Sequence, residues 1–206
     1  MNGMRKIIVL FFIIASMNHN WTWAELAKED SPLFCDEEFQ EIFSLIQNLS
    51  EVNCLIDRTL QDGPLYILKN DLYPQTMTGF WQPYHRTIYL TKMLQTTAET
   101  LIITLIFELH NAARNNELEN IDSAVCRHEF DKDQYVEAKE CIEYQNVIST
   151  HQILKIGRDS GLFSSECDEP YFPSFQDHLQ YQKEMGHSAF FEKRYQDQLE
   201  ICSTEK

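Results

Sequence analysis

Positive charge is scarce in this chain. Lys and Arg together number 17 against 32 Asp and Glu, a formal charge of −15 over 206 residues. A chain so acidic offers no cationic footprint for a phosphate backbone, which excludes nucleic acid as a partner class. Long apolar runs are also lacking beyond the N-terminus, where no segment stays uncharged over the ~20 residues that a bilayer span needs. There is no low-complexity tract, no internal repeat and no linker that would force a second domain. Gly-x-Ser-x-Gly, a Walker-type phosphate loop and Gly-x-Gly-x-x-Gly are all missing, and with them three common chemistries. No Cys-x-x-Cys pair occurs, which removes zinc knuckles and thioredoxin-type redox sites.

What is present suffices for one core. Hydrophobic residues make up 43% and aromatics 12%, enough apolar surface to offset chain entropy in a single domain. Residues 1–24 have the three-part layout of a secretory signal: Arg5 and Lys6, then an apolar run from Ile7 to Ala15, then a polar stretch ending Thr22-Trp23-Ala24. The expectation is a secreted or periplasmic protein, with residues 25–206 as one domain and no membrane contact after cleavage. All six cysteines follow the signal, and an even number in an exported chain points to disulfides. Fifteen pairings are open and the sequence does not choose among them. Nearest-neighbour pairing (35–54, 126–141, 167–202) would staple local units, each loop worth about 3 kcal/mol. Asn48-Leu49-Ser50 fits a glycosylation sequon.

Periodicity assigns the elements. Residues 36–60 read as one or two helices, on the spacing of Phe39, Ile42, Phe43, Ile46 and Leu49. Asp62-Gly63-Pro64 breaks that pattern before a short strand at 65–69. Residues 78–90, rich in aromatic and β-branched side chains, predict two β segments around a Pro-containing turn. A helix apolar on nearly every face is predicted over 97–115, and a second long one over 131–155. Residues 115–122 are polar and read as a loop, 157–174 as irregular, and 176–201 as a last amphipathic helix. The fold class expected is α+β, mostly helical. Phe80, Trp81, Tyr84 and Tyr89 suit core packing better than the wall of a ligand groove.

The informative residue is Glu108, inside Leu105-Ile106-Phe107-Glu108-Leu109. An unpaired carboxylate costs several kcal/mol to bury, so such groups are paired, metal-bound or protonated. Thr104 and Asn111 share its helix face at three- and four-residue spacing, which cuts a polar stripe into a greasy helix.

Over residues 79–113 the chain resembles the zincin metallopeptidases. Gly79-Phe80-Trp81…Thr87-Ile88-Tyr89-Leu90 is similar to the β segment that edges their substrate cleft. Phe107-Glu108-Leu109-His110-Asn111 stands where they carry His-Glu-x-x-His, in which two imidazoles bind zinc and the Glu acts as general base on the bound water. The resemblance implies a zincin-like core with a small sheet packed on the motif helix, and a third ligand among Glu137, Glu140 and Glu143. Only Glu108 matches the motif. Phe107 cannot bind a metal and Asn111 is a poor zinc ligand, so neither a metal nor another cofactor is expected. His110 points about 100° further round the helix than Glu108, and His85, His128 and His151 are scattered.

Three functions remain open. The first is an exported pseudo-peptidase that binds a protein or peptide partner. The second is a metal-independent hydrolase or lyase in which Glu108, held by Asn111, faces Glu140 or Glu143 as an acid/base pair. The third is an exported scaffold whose buried acid is purely structural.

Overall fold

A computed structural model describes residues 32–71 and 77–204; the signal expected at 1–24 lies outside the described residues. The chain opens with β1 (Leu33–Cys35), α1 (Gln40–Ile46), α2 (Ser50–Leu60) and β2 (Leu65–Lys69). Gly63, at φ +132°, makes the turn out of α2 that a side chain would resist. A hairpin follows, β3 (Gly79–Gln82) and β4 (Thr87–Leu90), closed by Arg86 N–H donating to Pro83 O at 3.0 Å. The strands line up as β1-β2-β4-β3, parallel but for the antiparallel edge strand β3.

Alternation along the strands splits the sheet's side chains between two faces. Leu65, Ile67, Trp81, Ile88 and Leu90 join the main core. Phe80 and Tyr89 stack on the other face, ring centroids 5.1 Å apart, with Met77 and Leu68 beside them. Of the four aromatics in this stretch only Tyr84, at the hairpin turn, is exposed.

α3 (Ala98–Ala113) lies against the sheet, capped by Thr97, whose Oγ1 accepts from Thr100 N–H. Its Leu101, Ile102, Leu105, Ile106, Leu109 and Ala112 carry the main core, so the buried helix packed on a small sheet is as expected. After a single-residue break at Arg114 the chain continues as α4 (Asn115–Cys126), which corrects the loop predicted at 115–122. Asn116, Glu119 and Asn120 face solvent and Asn115 is buried, accepting from Trp81 Nε1 at 3.0 Å. Ile121 and Val125, four apart, anchor the helix on a second cluster with Tyr135, Val136 and Phe191.

α5 (Lys132–Asp159) starts at a capping box formed by Asp131 and Gln134. The single terminal helix predicted at 176–201 is two, α6 (Phe175–Glu184) and α7 (His187–Thr204), parted at Gly186 with φ +81°. Among the described residues no helix is long and apolar enough to cross a membrane.

The cysteines depart from nearest-neighbour pairing. Cys126 pairs with Cys202, tying the end of α4 to the end of α7, while Cys35, Cys54, Cys141 and Cys167 are free. Local pairing fails because side-chain direction overrides proximity in sequence. Cys35 is buried in the core under β1, whereas Cys54 faces solvent from α2.

Candidate functional site

The polar stripe of α3 is stitched to the edge strand. Gly79 permits this: a Cβ there would meet Thr104 Cγ2 at 2.6 Å and the Tyr89 carbonyl at 2.9 Å, so only glycine lets β3 lie so close. Thr104 Oγ1 donates to Thr78 Oγ1 at 3.0 Å. Trp81 sits on the sheet's open edge, and Glu108 Oε2 accepts its backbone N–H at 2.9 Å. An edge N–H that would otherwise lack a ladder partner is thereby satisfied.

Glu108 is fully buried, and Asn111 Nδ2 donates to the same Oε2 at 3.1 Å. The chain of amides continues outward. Asn146 Nδ2, on α5, donates to Asn111 Oδ1 at 2.7 Å, and Arg114 Nη1 donates to Asn146 Oδ1 at 3.3 Å. Glu108 Oε1 has no hydrogen-bond partner. Burial pushes the Glu108 carboxyl up to about 7 against the pull of Asn111 and the Trp81 amide.

Of the three acids expected on the downstream helix, Glu137 is exposed, while Glu140 and Glu143 are both buried. Glu143 joins Glu108. Burial first, then the charges of Glu108 and Glu140, hold its pKa well above the carboxylate range. Glu169, from the irregular connection after α5, is raised to about 8 by burial, then by Glu108 and Asp168. The charge of Glu108 works to raise both Glu143 and Glu169.

Glu140 lies apart from this acid group in chemistry. Burial works to raise it, but His178, His187 and Ser188 outweigh burial and hold it at about 2. Ser188 Oγ donates to Glu140 Oε1 at 2.8 Å, His187 Nδ1 lies 3.1 Å from the same oxygen, and His178 Nε2 is 3.6 Å from Oε2. The expected set of Glu108, Asn111, Glu140 and Glu143 therefore divides. Glu108, Asn111 and Glu143 belong to one cluster, and Glu140 is the ionised centre of another.

Sequence reasoning missed Asn146, Glu169, His178, His187 and Ser188. For Asn146 a signal was there: Glu143-Tyr144-Gln145-Asn146 repeats the spacing of Glu108-Leu109-His110-Asn111, and the two asparagines meet. The others depend on how α6, α7 and the 160–174 connection fold back onto α5, which no local pattern encodes.

The metal ligands that the zincin resemblance would call for do not fit the residues here. Phe107 is buried and offers no donor, and both ends of the Asn111 amide are engaged by Glu108 and Asn146. Among the described residues no group of three or more His, Cys, Asp or Glu is placed to hold a metal ion. The scattered histidines stay on separate elements. His85 is in the hairpin turn, His128 is at φ +57° between α4 and α5, and His151 is on α5, 3.7 Å from Asp168.

His110 has a different setting. It lines a groove of about 730 Å³ with Arg58, Arg114, Glu117, Asn146 and Tyr171. Glu108 is not in the lining; it meets the groove only through the two asparagines. Compared with known proteins, the chain matches no family model, no curated protein and no solved structure.

Proposed function

We propose that the protein is an exported, zincin-like domain that works by binding a protein or peptide partner, with its metallopeptidase chemistry lost. The observation that carries this reading is the state of Asn111. The side chain at the second zinc-ligand position donates to Glu108 and accepts from Asn146, so it serves the fold rather than an ion. Glu108, at the general-base position, spends one oxygen on the edge strand and does not line the groove. A carboxyl buried behind the groove and bonded to the edge strand is out of reach of a peptide lying in it, which argues against Glu108 as the base of peptide hydrolysis.

The test is to rebuild the lost site. Phe107→His with Asn111→His restores imidazoles at i and i+4, with Glu143 on the facing helix as third ligand. Dialysed against Zn²⁺, the wild-type chain should carry no stoichiometric metal, and the folded double variant should carry about one ion per chain. A folded double variant that takes up no zinc removes the zincin reading. Peptide turnover by the wild-type chain removes the binding reading.

A second reading has its own support in the acid cluster. A carboxyl raised to about 7 beside a second one that burial and neighbouring acids also raise is the kind of pairing used for general acid/base catalysis near neutrality. Under that reading Glu108→Gln and Glu143→Gln each abolish turnover of a glycoside or lyase substrate while the fold persists.

A further inference from the structure

The groove between α2, α3, α4 and α5 concentrates positive charge on a molecule that has little of it. Arg58 reaches it from α2 and Arg114 from the α3–α4 break, and both hold Glu117. Arg114 donates to Glu117 Oε2 through Nε at 3.0 Å and again through Nη2, while Arg58 Nη2 lies 3.4 Å from Oε1. A carboxylate between two guanidiniums shows which chemistry this pair accepts. Glu117 neutralises one of the two arginines. His110 adds no charge, because burial, then Arg114 and Arg58, lower its pKa to about 4. One net positive charge is left.

Two further features point to a ligand. His110 is only 8% exposed, and its Nε2 is buried without a hydrogen-bond partner, a cost that native structures seldom leave standing. Tyr171 is 61% exposed beside Tyr144 on the groove wall, an apolar surface within the same cleft as the arginines.

We propose that this groove binds the C-terminal carboxylate of a peptide, with Arg58 and Arg114 as the anion pair and Glu117 as the internal carboxylate that the ligand displaces. The inference rests on the binding function proposed above and names its ligand chemistry. Displaced from the guanidiniums, Glu117 still belongs to the groove wall, so one net positive charge remains, which matches a monoanion and leaves a phosphate dianion uncompensated. A C-terminal residue carries its carboxylate and its side chain on one carbon, so an aromatic or aliphatic side chain meets the tyrosine wall while the carboxylate meets the arginines. Arg114 also donates to Asn146, so its movement toward a ligand is felt along the amides that end at Glu108.

The experiment is an NMR titration of the oxidised full chain with N-acetylphenylalanine. N-acetylphenylalaninamide, an amide-capped N-acetylaspartate and inorganic phosphate are run in parallel. N-acetylphenylalanine should shift the Tyr171, His110 and Arg114 signals saturably, and the capped amide should not. Arg58→Gln, at a half-exposed side chain, should weaken binding about tenfold, and Glu117→Gln should tighten it by a similar factor as the competitor is removed. A purely structural Glu117 would not give that gain. Shifts of equal size with the capped amide, preference for phosphate or the aspartate side chain, or weaker binding in a folded Glu117→Gln each overturn the proposal. A metal-free, peptidase-inactive chain that ignores N-acetylphenylalanine loses this site alone, whereas zinc uptake or peptide turnover by the wild type defeats the broader reading.

Discussion

Glu108 makes the molecule's stability depend on pH in a direction opposite to that of most carboxylates. Folded, the group keeps its proton up to about pH 7; its ordinary value is 4.5. A folded-state pKa above the unfolded one means that the contribution is complete below about 4.5 and is lost as the pH climbs through about 7. At 1.36 kcal/mol for each pH unit of displacement, the loss is on the order of 3 kcal/mol. Glu169, raised to about 8, extends the decline upward. Glu108→Gln keeps an acceptor for the Trp81 amide and for Asn111 and removes the charge. Urea unfolding should find the variant equal to wild type near pH 4 and more stable by roughly that amount at pH 8. A variant weaker than wild type at pH 8 would mean that the fold needs the ionised acid.

At the scale of the element, the decisive contact is β3 on α3, and glycine sets it. Gly79→Ala puts a methyl 2.6 Å from Thr104 Cγ2 and 2.9 Å from the backbone oxygen of Tyr89. The strand must lift, at about 1–3 kcal/mol for overpacking, and the Trp81 amide leaves Glu108 as it does so. The urea midpoint should fall and the Glu108 titration should move above 7. Thr104→Ser in the same chain removes Cγ2 but not the Tyr89 oxygen, so it should recover part of the loss and no more. Much of this arrangement is legible in the sequence. A hairpin with β-branched and aromatic residues, a helix greasy on all sides and a lone acid within it are local signals. β1 is hidden because its three residues are too few to show a period. α4 is hidden because polar residues outnumber its two anchors, and the break at Gly186 because the amphipathic pattern runs through it. The partners of Glu140 are hidden for another reason. They come from two helices that reach α5 only through tertiary packing, whereas Glu108 and Asn111 lie within one turn of a single helix.

For the whole molecule, the disulfide and the Glu140 cluster act on the same joint. Cys126 and Cys202 close a loop of 76 residues, worth about 4–5 kcal/mol in the chain-entropy model. That loop holds α7, with Phe191 packed on Val125, Tyr135 and Val136. α7 supplies His187 and Ser188 to Glu140, and α6 supplies His178. With these helices docked, Glu140 is held at about 2, below its ordinary 4.5, its partners outweighing burial. A depressed folded pKa gives stability that is present above about 4.5 and fades as the pH falls toward 2. Docking of α6 and α7 therefore rests on the disulfide at every pH and on Glu140 only above the acid range. Cys126→Ser with Cys202→Ser removes the first support and leaves the second. In hydrogen exchange the double variant should keep its α7 amides protected at pH 6 and lose them between pH 4 and 2, while α3 stays protected throughout because its core is built on the sheet. The oxidised wild type should hold α7 over the whole range. Equal acid sensitivity in the two proteins would show that the Glu140 cluster does not secure this joint, and loss of α3 protection together with α7 would show that the two clusters unfold as one.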